Sequence, residues 1–257
     1  MTAETIFLSS PEADIAVLTF DTPNKSANVL SNSVLDELAK HLDALEKRAG
    51  LAGLIFCSAK PGIFIAGADL REFVQSLSAP KEQVVAMCRR GQTLFGRLSA
   101  MPFVTVAAIN GICVGGGAEL ASWCDRRLFS NNPKAEFGFP EVKLGLFPGW
   151  GGTARAPRIA GLSNAVEMVT GGESISAEAA YKMGWASDVV TDTELLPAAI
   201  RMVRAEQASN EYLKDRERWR GPVVITETEL GFLGATASAV IRQQTKGQYP
   251  APEAALE

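Results

Sequence analysis

Two glutamates stand 22 residues apart, each among glycines: Glu119 in Val114-Gly115-Gly116-Gly117-Ala118-Glu119-Leu120, and Glu141 in Phe139-Pro140-Glu141-Val142-Lys143-Leu144-Gly145-Leu146-Phe147-Pro148-Gly149-Trp150-Gly151-Gly152. Both surroundings carry little charge. A carboxyl kept from water favours its neutral form, and two neighbouring carboxyls resist ionising together. If these two meet in space, one supplies an acid and the other a base at neutral pH. Read singly, each is equally an ordinary acid at the start of a helix.

The glycine run is not a Walker A loop, because no Lys-Ser or Lys-Thr follows it, and Leu120 stands where a dinucleotide motif needs its third glycine. Lying between a strand and a helix, it serves one of two ends. It allows tight helix–sheet packing, or it lets a ligand approach the unpaired amides of the helix start. A third segment, Ile65-Ala66-Gly67-Ala68-Asp69, puts small residues at a strand end. It reads either as a close-packed turn or as main chain facing a ligand, with Asp69 as a helix cap.

Other chemistries are excluded by what the chain lacks. Its single histidine, His41, falls on the polar side of the Leu35, Leu38, Leu42, Leu45 stripe and reads as a solvated surface residue. Ser-His-Asp and Cys-His machinery and multi-histidine metal sites are therefore not expected. Cys57, Cys88, Cys113 and Cys124 form no Cys-x-x-Cys pair and read as buried thiols of a reducing compartment, so a cytoplasmic location is expected. A net charge of −4 argues against a nucleic-acid partner. No apolar run reaches bilayer length, and no secretory leader is recognisable.

The elements that must position these residues follow from periodicity. Strands are expected at 15–20, 53–58, 103–109, 127–130 and 135–139, and near 186–190, and the run 63–70 carries small residues at a strand end. A helix over Leu35–Leu45 takes Ser33 as its N-cap. A polar helical region runs to about Ala100, and a short apolar helix starts at Ala118. The strand–strand–helix rhythm implies parallel pairing with helices outside, hence an α/β fold. Charged residues 211–220 read as a solvated helix face. An alanine-rich helix follows to about Gln244, and Tyr249-Pro250-Ala251-Pro252 reads as a linker. The division is thus a core over 1–190, a helical region over 191–245 and a linker-like tail over 246–257.

Taken together, Ile65-Ala66-Gly67-Ala68-Asp69, Asn110-Gly111, Gly115-Gly116-Gly117-Ala118-Glu119-Leu120, Cys124-Asp125, Pro140-Glu141 and Leu144-Gly145-Leu146-Phe147-Pro148-Gly149-x-Gly151-Gly152 resemble the crotonase superfamily, and in particular its enoyl-CoA hydratases. The likeness spans about Ile15 to Val190 and is most similar to the N-terminal hydratase/isomerase part of a fatty-acid oxidation multifunctional protein. It implies a repeated ββα superhelical core of ClpP/crotonase type with a C-terminal helical region. It also implies syn addition of water to a trans-2-enoyl-CoA in β-oxidation, giving a 3-hydroxyacyl-CoA.

By that resemblance the amides of Ala68 and Gly116 form an oxyanion hole, and Glu119 and Glu141 are the catalytic acids. The main chain of Ala66 meets the adenine of coenzyme A, and the Gly149 amide helps hold the water. Lys60 is a candidate for the coenzyme A phosphates, against the alternative of a solvated surface lysine. Trp150 is bulkier than the small residue common after that glycine, which bears on acyl-chain preference. No metal and no separate cofactor are implied, since coenzyme A belongs to the substrate. A free-standing member is a homotrimer or hexamer, whereas an excised domain is joined to a 3-hydroxyacyl-CoA dehydrogenase. Two alternatives stay open: a Δ3,Δ2-enoyl-CoA isomerase, and a non-catalytic acyl-CoA- or RNA-binding relative.

Overall fold

A computed structural model describes residues 4–76 and 78–257. Its strands are β1 (Ile6–Glu12), β2 (Ile15–Phe20), β3 (Gly53–Ser58), β4 (Ile63–Ala66), β5 (Val104–Ile109), β6 (Ile112–Val114), β7 (Arg126–Ser130), β8 (Glu136–Gly138), β9 (Ser174–Ser176) and β10 (Asp188–Val190). Its first helices are α1 (Asn32–Glu46), α2 (Leu70–Ser76), α3 (Lys81–Gly96), α4 (Gly116–Trp123), α5 (Gly152–Ala160) and α6 (Leu162–Gly171). They are followed by α7 (Ala177–Lys182), α8 (Leu195–Ser209), α9 (Glu211–Arg220), α10 (Glu227–Thr245) and α11 (Ala251–Leu256).

The strands form two sheets, ordered β1-β2-β3-β5-β7-β10 and β4-β6-β8-β9, and from β3 to β8 successive strands alternate between them. β3, β5 and β7 enter the first sheet, and β4, β6 and β8, each a few residues later, enter the second. A helical segment then returns the chain for the next turn, which is the ββα repeat of an α/β fold. Pairing is parallel except at the ends, where β1 joins β2 and β9 joins β8 antiparallel. β3, as a central strand, is apolar on both faces: Leu54 and Phe56 enter the core between the sheets, while Ile55 meets Val203 and its neighbours from α8. Each ββα turn therefore ends β4, β6 and β8 side by side, and the candidate residues lie just beyond those ends.

Several local expectations are corrected. The cap of α1 is Ser31, whose side chain accepts from the Val34 amide, so the helix begins earlier than the apolar stripe indicated. β1 escaped the pattern because its Phe7 and Leu8 are 42% and 45% exposed on an edge strand. His41 is half-buried, with Nε2 hydrogen-bonded to the Ile6 carbonyl at 3.0 Å. Glu4, Glu37 and His41 bring three possible ligand atoms together, yet Glu37 already accepts the Thr5 and Ile6 amides. Cys113 and Cys124 are buried as expected, but Cys57 and Cys88 only partly so. Within residues 246–257, expected to be linker-like, a short helix packs onto the core. Ala251 and Pro252 are buried at the start of α11, and the Tyr249 hydroxyl donates to the Val142 carbonyl at 2.6 Å.

The charged stretch 211–220 is also more than a solvated face. Arg216 is 7% exposed and forks onto Asp125, Nε to Oδ1 at 2.6 Å and Nη2 to Oδ2 at 2.7 Å, and it donates to the Met101 and Phe103 carbonyls. Asp125 also accepts from the Thr105 amide and hydroxyl. One guanidinium thus locks α9 to the far end of α4. Removing a single partner of a buried pair leaves an uncompensated charge at a cost of about 3–5 kcal/mol. Arg216→Met should therefore lower Tm by about 10 °C at roughly 2–4 °C per kcal/mol. Adding Asp125→Asn should restore part of that loss, as measured by thermal melts of the parent, single and double variants.

Candidate active site

Gly115 turns the chain from β6 into α4 with φ +54°, a conformation that disfavours side chains. Gly117 settles the packing question for its own position: a Cβ there would lie 2.4 Å from the Ile65 carbonyl oxygen, so the helix can approach β4 only as glycine. Gly116, the first residue of α4, has an N–H that the helix leaves without an acceptor. The run therefore serves both packing and exposure of main chain.

The facing segment is Ala66–Asp69. Leu30 pairs with Ala68 by donating to the Gly67 carbonyl and accepting from the Asp69 amide, at 2.9 and 3.2 Å. This parallel bridge turns the N–H of Ala68 away from Leu30. Among the described residues it has no protein acceptor. A Cβ on Gly115 would lie 3.6 Å from the Gly67 Cα, so the segments carrying Ala68 and Gly116 run in contact. Ala66 pairs with Val114 and spends its N–H on the Asn28 carbonyl at 2.9 Å. Asp69 caps α2 by accepting from the Arg71 amide, as expected. Asn28, which sequence reasoning did not single out, is 1% exposed and bonds the carbonyls of Phe20 and Phe64 and the Ser58 hydroxyl. It holds this edge in place, and the only advance signal was its place in a polar loop.

Glu119 points inward from the first turn of α4 and is 3% exposed. Its Oε1 accepts the amides of Trp150 at 2.6 Å and Gly152 at 2.9 Å. The Trp123 indole, one turn further along the same helix face, donates to the Trp150 carbonyl at 2.9 Å. α4 therefore grips residue 150 by both its main-chain groups. Gly149 lies beside the site, its carbonyl accepting from Gln92 and its α-carbon facing the Cys88 thiol. The Cys88 thiol is pushed up by burial and then by the charge on Glu119. Arg155 stacks between Trp123 and Trp219, 4.8 and 4.6 Å from the ring centres, and so steadies the helix that Gly152 begins.

Glu141 sits in a 3-10 turn over Pro140–Leu144, and its Oε1 lies 3.4 Å from where a Gly115 Cβ would be. Its Oε2 is buried without a hydrogen-bond partner. The structure thus brings Glu119, Glu141, Ala68 and Gly116 to one place, with Ala66 and Gly149 at its edges. Lys60 is ion-paired with Asp21 at 2.6 Å and only 15% exposed, which differs from the free surface lysine favoured by composition.

Burial raises both carboxyls. Glu119 reaches about 7, with the Gly152, Trp150 and Gly151 amides opposing the shift. Glu141 reaches about 8, raised by burial and then by the charge on Glu119. The amides that Glu119 accepts favour its ionised form, whereas Glu141 has no such donor at Oε2.

The family profile described as enoyl-CoA hydratase/isomerase matches residues 10–215. The chain belongs to that family, within the crotonase superfamily. Among solved structures it is 29% identical to an enoyl-CoA hydratase from Bacillus anthracis, covering 96% of this chain and 89% of that one with a TM-score of 0.72. It is 27% identical to an enoyl-CoA hydratase/carnithine racemase from Magnetospirillum magneticum, covering 95% and 94% with a TM-score of 0.75. An enoyl-CoA hydratase/isomerase from Xanthobacter autotrophicus Py2 is 26% identical over 99% of this chain and 86% of its own, with a TM-score of 0.71.

Both glutamates have pKa values raised above those of the unfolded chain, so the folded state holds protons that the unfolded state releases. Their contribution to stability is complete below about 4.5 and is lost as pH rises through about 7 and 8. The contribution of these two groups to the parent Tm should therefore fall between about pH 4.5 and pH 8, and that of Glu141→Gln should fall less, by about 2–4 °C for each kcal/mol spared. Equal falls in the two proteins would contradict the buried, raised carboxyl.

Proposed function

We propose that the chain is an enoyl-CoA hydratase of fatty-acid β-oxidation, adding water syn across a trans-2-enoyl-CoA. The observation that carries this reading is the convergence of two buried carboxyls of unequal acidity on two main-chain amides without acceptors. The thioester oxygen binds the N–H groups of Ala68 and Gly116. Water adds to C3 while ionised Glu119 takes its proton, and protonated Glu141 delivers a proton to C2. The negative charge that gathers on the thioester oxygen is met by donors already in place, each worth roughly 2.7–4 kcal/mol in comparable sites. The turnover leaves Glu119 protonated and Glu141 ionised, so proton exchange after product release resets the pair. Gly149 helps position the water, and the Ala66 carbonyl meets the adenine.

Isomerase action needs chiefly Glu141, moving a proton between carbons. The presence of Glu119, buried and fixed by two amides, favours hydration as the main activity. No helix among the described residues is long and apolar enough to cross a membrane. A reducing cytoplasm suits the free thiols. Val224 and Phe232, 97% and 76% exposed, supply apolar surface that a homotrimer or hexamer would cover, or that a joined 3-hydroxyacyl-CoA dehydrogenase domain would cover in a multifunctional protein.

Glu119→Gln and Glu141→Gln should each lower kcat on crotonyl-CoA by about 10²–10⁴-fold while the far-UV spectrum stays native. Near-normal turnover by either variant would overturn the paired assignment. The kcat/KM profile should be bell-shaped, falling below about 7 as Glu119 protonates and above about 8 as Glu141 ionises. A 3-enoyl-CoA consumed faster than its 2-enoyl isomer would move the assignment to isomerase.

A further inference from the structure

The backbone of Trp150 serves Glu119, but its side chain goes elsewhere. The indole lies between α3 and the start of α4. A Cβ at Gly91 would stand 2.2 Å from indole Cδ1, and one at Gly116 would stand 2.6 Å from Cζ3. Both positions admit the ring only because they are glycine. Phe95, fully buried, backs the indole edge-to-face with ring centres 5.6 Å apart and planes at 89°. The ring cannot step aside easily. Its main chain is held from α4 at the amide and at the carbonyl, and its far edge meets the core.

We infer that the Trp150 indole is the end wall of the acyl pocket and restricts the site to butyryl-sized acyl groups. The inference rests on the proposed acyl-thioester reading of the site. With the carbonyl oxygen on the Ala68 and Gly116 amides, C3 must come to Glu119, whose Oε1 is occupied by the loop. Carbons beyond C3 then continue past Glu119, away from the thioester sulfur. That direction leads into the gap between Gly116 and Gly91, which the indole fills. A short acyl group ends against the aromatic face, whereas a longer one collides with a side chain that is packed and pinned.

Saturated acyl-CoAs separate this inference from the hydratase assignment, because they carry no double bond to hydrate. Calorimetric titration of the parent with butyryl-CoA and decanoyl-CoA should show preference for the shorter. In Trp150→Ala the decanoyl-to-butyryl affinity ratio should rise by at least about tenfold, with Trp150→Phe between the two. The ratio of kcat/KM for 2-decenoyl-CoA against crotonyl-CoA should move the same way. A parent that prefers decanoyl-CoA, or a ratio unmoved in Trp150→Ala with a native far-UV spectrum, overturns the wall. Because the parent profile alone tests it, a misfolded variant does not protect the idea. Length-selective binding without turnover would support the wall and sink the hydratase assignment. Failure of the parent to bind either acyl-CoA would sink both.

Discussion

A carboxyl group placed almost wholly out of water must find hydrogen-bond donors or stay neutral, and Glu119 is held at the balance between those outcomes. Its donors are main-chain amides of residues 150 and 152, brought to it by a glycine-rich loop. Burial raises the group to about 7 against the opposing amides of Gly152, Trp150 and Gly151. The rest of the site is arranged around that clasp. The loop must pass close to the first turn of α4, Trp123 must hold its carbonyl, and Glu141 must share the space with a neighbour that is often charged. Glu141, lacking any donor for its Oε2, is displaced further towards the neutral form.

The fold supplies this geometry through alternation between two sheets. Each ββα turn sends one strand to each sheet, so the ends of β4 and β6 lie in register although about 50 residues separate them. Main-chain donors at both ends can then face one oxygen atom. Gly116 must stay glycine, since a Cβ there would lie 2.6 Å from the Trp150 indole. What matters is rigidity, and the chain secures it with buried cations. Arg216 on Asp125 fixes one end of α4, and Arg155 between two tryptophans fixes the start of α5. Buried ion pairs gain little net stability over apolar packing, so their contribution here is placement.

Much of the element order was legible from periodicity. The strands 15–20 and 53–58 follow from apolar runs bounded by turn residues, as does the helix expected from Ala118, which begins two residues earlier at Gly116. β6 and β9, three residues each, carry too few positions for any pattern, and β1 shows solvent too much apolar surface to look like part of a sheet. The charged run 211–220 conceals Arg216 because a buried cation is invisible until its partner is known. The tail likewise reads as a linker by its prolines, although Ala251 and Pro252 are buried in the structure.

The sequence by itself determined the inventory: two acids in apolar surroundings, glycines at turns, a lone histidine too isolated to drive nucleophilic chemistry, and the order in which these appear. Those properties are local, and residue type and spacing carry them. Only the tertiary structure decided which amides clasp Glu119, that Glu141 keeps an oxygen without a donor, that His41 and Lys60 are held by partners, and that the indole of residue 150 enters the gap between Gly91 and Gly116. Each of these depends on desolvation and contact between segments far apart in the chain. Spacing along a sequence does not encode how far from water a group will finally lie.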